Sequence, residues 1–264
     1  MMTILYPAYG NLYVNLTNKC PCACTFCLRQ THEEIQESGS LWLEGEPTVE
    51  EVEKEFDKFP PDTYKDIVFC GFGEPTERLD ALLEVAEFAK KKFGKKIRIN
   101  TNGLGSLIHG KDITPLLKGK IDSVSISLNT PNAEEYFKLT RNKFGIGSFQ
   151  AMLDFAKEAT QYVPEVVMTT VETTITKEEE QECQKICDSL VCPMIVDGKD
   201  PELMAHAIWH ISLQKGAPLP DCGIYYIGPG RAVASTEEQR AILANPAGYA
   251  LCTVTLSQGV QTDA

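Results

Sequence analysis

Four of the ten cysteines fall between Cys20 and Cys27, in the run C-P-C-A-C-T-F-C, directly after an alternating, strand-like segment. Thiols at that density on one short loop point to a metal site. Cys20, Cys24 and Cys27 form C-x3-C-x2-C, and three thiolates so spaced can hold three irons of a [4Fe-4S] cube and leave the fourth open to substrate or cofactor. Adding Cys22 gives a four-thiolate set that would close around zinc or saturate an electron-transfer cluster, and a closed site does no bond chemistry. Disulfides would need an oxidising compartment and usually a small scaffold, neither of which this chain suggests.

With 264 residues, 43% of them hydrophobic, the chain fits one large domain or a domain with an appendage, and it has ample material for a core without covalent staples. Met1 to Gly10 carries no basic stretch before an apolar run, and no segment approaches the length of a membrane span, so a cytoplasmic protein with reduced thiols and no membrane partner is expected. Acidic residues outnumber basic ones 37 to 25, for a net charge of −12. That field repels phosphate backbones, so nucleic acid is not expected as a partner.

Positioning such a loop is the work of the surrounding elements. Asn11 to Thr17 alternates with period two and predicts a strand, and Thr48 opens T-V-E-E, a capping-box start to a helix. Further strands are predicted at Asp66 to Cys70, Lys96 to Asn100, Ile121 to Leu128, Glu165 to Val171 and Pro193 to Val196. Between them lie amphipathic stretches at Leu79 to Lys92, near Leu116, at Phe149 to Ala159 and at Glu178 to Leu190. Strict alternation means βαβ units and a parallel sheet, about six of them, because parallel neighbours need a long crossover. Alternation alone does not separate an open doubly wound sheet from a barrel or partial barrel. In either, active groups sit on loops at the C-terminal strand ends, and the cysteine loop is on that face.

Other strand ends carry suitable chemistry. Gly71-Phe72-Gly73-Glu74-Pro75 leaves the second strand, with glycines that permit close backbone approach and a carboxylate, Glu74, able to accept from an ammonium group. Asn100-Thr101-Asn102-Gly103 and Ser125-Ile126-Ser127-Leu128-Asn129 place donors and acceptors suited to ribose hydroxyls and a carboxylate at the next two exits.

Cys20 to Cys27, with Phe26 before the third cysteine, resembles the C-x3-C-x-aromatic-C motif of the radical S-adenosylmethionine (SAM) enzymes. The resemblance implies a partial (β/α)6-type TIM barrel and a [4Fe-4S] cluster on Cys20, Cys24 and Cys27, with Cys22 a bystander. The open iron of that cluster binds SAM, and one electron cleaves SAM to a 5'-deoxyadenosyl radical that abstracts hydrogen from a substrate. By the same resemblance Phe72, Gly73 and Glu74 match the G-G-E-P segment that contacts the SAM amino group, with Phe72 replacing its first glycine. Asn102 and Ser127 match SAM-binding strand ends, and Arg141 matches an arginine that some members aim at the SAM carboxylate or adenosine. Wording from Asn15 to about Leu190, including L-W-L-E-x-E-P-T, V-F-C-G-F-G-E-P-T, N-T-N-G and S-I-S-L-N, is similar to the TatD-linked radical SAM proteins. That similarity implies a functional link to a TatD-type hydrolase. A small-molecule or peptide substrate and a flavodoxin- or ferredoxin-type electron donor are expected.

Residues 1–196 are expected to form this core and 197–264 a small C-terminal α/β extension. The extension reads as a helix over Pro201 to Leu213, a strand over Gly223 to Ile227, a turn at Gly228 to Gly230 before a helix near Thr236 to Leu243, and a last strand over Ala250 to Leu256. Cys183 and Cys187, one helical turn apart, could join Cys192, Cys222 and Cys252 on an auxiliary cluster or could be buried and inert. His206 and His210 share the same spacing, which suits either a metal clasp or a structural pair. Cys70 adjoins the Gly71 turn, where it could face a cavity.

Overall fold

A computed structural model of the chain describes residues 2–171 and 174–190 fully, and the backbone of 194–197, 211–213, 226–228, 231–233 and 252–254. Its centre is a seven-stranded sheet whose strands lie in chain order: β1 (Leu5–Ala8), β2 (Asn11–Val14), β3 (Asp66–Phe69), β4 (Lys96–Thr101), β5 (Ser123–Ser127), β6 (Glu165–Val171) and β7 (Met194–Asp197). β1 and β2 are antiparallel, and every later pair is parallel.

That order decides what alternation left open. A doubly wound sheet reverses strand order at a switch point and places helices on both faces. Here the order never reverses, and right-handed crossovers then put every helix on one side. The result is barrel-like winding around a sheet that does not close among the described residues, a partial (β/α)6-type barrel with one extra antiparallel edge.

β1 was not expected. It turns into β2 through Tyr9 and Gly10, both with left-handed backbone (φ 51° and 73°), which is the geometry of a two-residue hairpin turn. Tyr-Gly is a weak signal for that turn, and Pro7 interrupts the alternation; proline is tolerated because β1 is an edge strand.

The helices are α1 (Val49–Glu55), α2 (Leu79–Phe93), α3 (Gly105–His109), α4 (Ala133–Thr140), α5 (Ser148–Ala159) and α6 (Lys177–Leu190). Thr48 caps α1 through the expected reciprocal pair with Glu51. Gly94, in left-handed conformation, ends α2. The segment near Leu116 is a short 3₁₀ turn, Thr114–Leu117, whereas α3 and α4 lie where no helix was expected. At five and eight residues they are too short to show a clear period.

Two apolar clusters divide the sheet. The larger joins Ile67, Phe69, Ile97, Ile99, Val124, Ile126, Val166 and Met168 to the helices, whose facing side chains include Leu82, Val85, Ala89, Met152 and Phe155. On the opposite, concave face a small cluster of Tyr6, Ala8, Tyr13, Leu41, Val68 and Phe72 fills only the β1–β3 end. Over β4–β6 the concave face is mostly polar: Arg98, Asn100, Ser125, Ser127 and Thr169, with Val167 among them, alternate with the core residues.

In the C-terminal segment, β8 (Ile211–Leu213) pairs with β11 (Cys252–Val254), and β9 (Tyr226–Gly228) with β10 (Arg231–Val233), all antiparallel. Ile211–Leu213 is therefore strand where a helix end was expected, and Gly228 to Gly230 joins two strands instead of a strand and a helix. A β-branched residue and a cross-strand partner outweigh helical spacing over so short a run. His206, His210, Cys192, Cys222 and the helix expected near Thr236 lie outside the described residues.

Cys183 and Cys187 are fully buried in the larger core cluster on α6. Burial, with nearby glutamates, pushes the Cys183 thiol up to about 12, away from the thiolate a metal requires. Replacing both by alanine should leave the iron and sulfide content of the reconstituted protein unchanged; a loss of more than about a third of the iron would restore the auxiliary-cluster reading.

Candidate active site

The cysteine loop begins where β2 ends, and its path is set by contacts on both flanks. On one flank the β3 exit presses against it: a Cβ on Gly73 would lie 2.1 Å from the Thr17 carbonyl oxygen and 2.7 Å from that of Lys19. The Glu74 amide donates to Lys19 O at 2.8 Å. Gly71 is equally confined, with the Asn15 side chain 2.1 Å from where a Cβ would stand. The space a side chain would need at the glycines of G-F-G is thus filled by the protein's own backbone and Asn15, and close packing against the start of the cysteine loop requires them to be glycine.

On the other flank the loop runs beside the C-terminal end of α4. Ala23 N donates to Thr140 O and Thr25 N to Leu139 O, both at 2.9 Å, and Lys143 N donates to Pro21 O at 2.9 Å. Arg29 ties the centre together, reaching the carbonyls of Cys22 (3.1 Å), Asn18 (3.4 Å) and Phe72 (3.4 Å). The L-W-L segment closes the rim. Leu41 is buried, Asn18 exchanges two hydrogen bonds with Leu43, and Trp42 lies edge-on to Phe72 at 5.1 Å.

Within this frame the four thiols differ. Cys22 points into the core and is 4% exposed, while Cys20, Cys24 and Cys27 remain partly accessible. Hydrogen bonding with Cys20 or Cys24, and burial, push the Cys22 thiol well above the usual range. The same hydrogen bonds lower Cys20 and Cys24, stabilising their thiolates, whereas burial raises Cys27. No three cysteine, histidine or acidic side chains among the described residues converge closely enough for one metal ion. A cube-shaped cluster takes each thiolate on a different iron and so needs them spread out.

Glu74 is 4% exposed, and burial raises its pKa. Its Oε1 accepts from Thr76 N (3.1 Å), Thr76 Oγ1 (2.7 Å) and Thr101 Oγ1 (2.7 Å), and its Oε2 from Asn102 N (2.8 Å). Four donors nearly exhaust a carboxylate, so Glu74 first staples the β3 exit to the β4 exit and keeps spare capacity only at Oε2. Asn102 carries the contact onward: its Nδ2 donates to Cys22 Sγ at 3.7 Å, and its Oδ1 caps Leu104 N at 2.9 Å. Tyr136, fully buried on α4, extends its hydroxyl toward Asn102 O at 3.5 Å.

The structure therefore gathers Cys20, Cys24, Glu74 and Asn102 around Cys22. Ser127 directly follows Ile126, the partner of Thr101, and so stands beside Asn102 at neighbouring strand ends, half-buried. Arg141 ends α4 in left-handed conformation (φ 46°), exposed, within the segment that straps the loop. Phe26 is half-buried on the loop itself. Phe72 differs from its expected role: its ring is buried in the concave-face cluster, and its carbonyl faces Arg29. Arg29, Thr101 and Tyr136 carry no motif of their own in the sequence, since their roles rest on contacts to residues 7 to 43 positions distant. A groove of about 530 Å³ between α1 and α2, lined by Glu50, Lys54, Phe88 and Lys92, lies on the helical side of the sheet, remote from these groups.

A partial barrel with a three-thiolate loop after its first parallel strand defines an iron–sulfur enzyme of the SAM-dependent type. The Radical SAM superfamily model matches residues 14–190, and the chain belongs to that family. A GTP 3',8-cyclase of Corynebacterium glutamicum is 33% identical over 141 residues, half of this chain and 34% of that protein. The fold is shared with Streptococcus suis SuiB bound to the precursor peptide SuiA (TM-score 0.54, 18% identity, 71% of this chain and 39% of that one). It is shared also with a radical SAM methyltransferase of Sphaerobacter thermophilus (TM-score 0.51, 18% identity, 73% and 57%). The chain spans half or less of the length of the curated relatives it matches. The family's cofactors are a [4Fe-4S] cluster and SAM. The chain's residues fit them in two respects: three accessible thiols are set apart from one buried one, and Glu74 Oε2 retains one acceptor position beside the loop.

Changing Glu74 to Gln turns one oxygen into a donor that must face Asn102 N–H or the Thr76 and Thr101 donors. Urea unfolding without any SAM should show a loss of roughly 2–3 kcal/mol, the cost of a buried clash between donors. Unchanged stability would mean that Glu74 serves the ligand alone.

Proposed function

We propose that the protein uses a [4Fe-4S] cluster on Cys20, Cys24 and Cys27, with SAM, to abstract hydrogen from a small-molecule or peptide substrate held over the polar half of the concave face. The observation that carries this reading is the division of the four thiols. Cys22 is buried in the core, while Cys20, Cys24 and Cys27 remain partly accessible.

When bound, the cluster and SAM supply one-electron reductive cleavage to a 5'-deoxyadenosyl radical. The chain's residues position and shield that chemistry. Arg29 and the α4 strap fix the loop backbone, so the thiolates need little reordering to bind iron. Asn102, held through its amide by Glu74, orients its side chain at the loop, and Glu74 Oε2 is the acceptor left for an ammonium group. Ser127 and Arg141 flank the same opening and suit ribose hydroxyls and a carboxylate. Phe72 and Trp42 cover the β2–β3 side against water.

The cluster's electron comes from outside, so a flavodoxin- or ferredoxin-type donor belongs to this proposal, as does a reducing, cytoplasmic setting. A functional link to a TatD-type hydrolase is supported only by the local wording of the strand-end motifs. Residues 1–196 are taken as the catalytic core and 197–264 as an extension.

Anaerobic reconstitution with iron and sulfide, followed by reduction and addition of SAM, should yield 5'-deoxyadenosine and perturb the cluster's EPR spectrum. Cys22→Ala should retain the cluster, while Cys24→Ala should lose most of it. No nucleoside product and an EPR spectrum indifferent to SAM would refute the proposal. Loss of the cluster in Cys22→Ala would favour instead a non-catalytic four-thiolate zinc or iron–sulfur site.

A further inference from the structure

Resting on the reading above, the inference concerns what the radical chemistry would act on. We propose that Arg98 anchors an oxyanion of the substrate, a carboxylate or phosphate group, on the floor of the polar concave face.

Arg98 lies in the middle of β4, paired with Val68 on one side and Ser123 on the other. Its neighbours Ile97 and Ile99 face the helical core, so Arg98 faces the concave side with Tyr13 and Cys70. It is 8% exposed, and its buried Nε has no hydrogen-bond partner among the described residues. Among the described residues no carboxylate, carbonyl or hydroxyl accepts from its guanidinium. Glu165, across β5 from it, is held instead by Lys96.

Structural arginines in this same protein behave otherwise. Arg29 spends its donors on three carbonyls, and Arg78 reaches Leu16 O, Pro47 O and Glu46. A guanidinium remains charged in any protein environment, and its buried Nε–H is costly to leave without an acceptor. A ligand oxyanion would supply the acceptor that none of the described residues provides. The planar fork of donors matches carboxylate and phosphate oxygens.

A second orphan lies one step nearer the cysteine loop. Asn100 projects from the same face of β4 beside Cys70, and its buried Oδ1 has no hydrogen-bond partner among the described residues. Two residues along a strand rise about 7 Å. The substrate thus carries a hydroxyl or amine donor roughly that far from its oxyanion, directed from Arg98 toward Asn100 and Asn102. This orientation points the remainder of the molecule at the cysteine loop.

Cys70 provides a reporter, being beside Arg98 yet partly accessible. In cluster-loaded protein under anaerobic, alkaline conditions, Cys70 is alkylated with anionic iodoacetate or neutral iodoacetamide, and its peptide is quantified by mass spectrometry. Arg98→Met should lower the iodoacetate-to-iodoacetamide ratio by roughly fivefold or more, with Arg98→Lys intermediate. In the unaltered protein, malonate or inorganic phosphate should slow iodoacetate labelling of Cys70, the stronger protector identifying the oxyanion. The proposal is overturned by equal ratios in the unaltered protein and Arg98→Met, or by no protection from either anion, a readout needing no variant. It is overturned also if SAM alone abolishes the iodoacetate preference, because the site would then belong to the SAM carboxylate. Absence of 5'-deoxyadenosine would defeat the proposed function and leave this steering unaffected.

Discussion

The contact on which the site depends is the absence of a side chain at Gly73. The β3 exit approaches the Thr17 and Lys19 carbonyls within less than the room of a methyl group, and the Glu74 amide then bonds Lys19 O. From that approach the rest follows: Glu74 is driven into the interior, where burial is tolerable only because Thr76, Thr101 and Asn102 donate to it. Asn102, so held, faces Cys22. A chain of short-range requirements thus links two strand exits to the thiol loop, with no long element needed between them.

The concave face shows the same economy. Aromatic residues of β1 and β2, with Leu41 and Phe72, fill one end, and the other end is left polar and without an apolar cover among the described residues. Packing at one end and unsatisfied groups at the other give the sheet a rigid wall beside a receptive one. Arg98 and Asn100, which the core does not use, mark the receptive part.

Much of the framework was legible. Period-two and period-3.6 patterns placed β2 to β7, α1, α2, α5 and α6 to within a few residues, because those segments are long or strongly amphipathic. β1, α3 and α4 were not legible: a Tyr-Gly turn, an interrupting Pro7 and helices of one or two turns leave little local signal. At the site, residue type and location single out the cysteine spacing, Glu74, Asn102 and Ser127, and the structure sets Glu74 and Asn102 beside the cysteine loop with Ser127 at the next strand end. The packing use of the glycines was not legible, since a close approach looks the same in sequence whether a ligand or the protein's own backbone fills it.

By itself, the sequence determined that a parallel α/β chain carries three suitably spaced thiols on its first βα loop, because spacing and periodicity are local properties. Only the tertiary structure decided that the sheet winds one way without reversing, that Cys22 turns inward while its neighbours stay accessible, and that Arg98 is buried with its Nε unpartnered among the described residues. Each of these depends on which distant residues share a face or a pocket. Hydrogen-bond satisfaction and burial are properties of that assembled neighbourhood, and no local pattern encodes them.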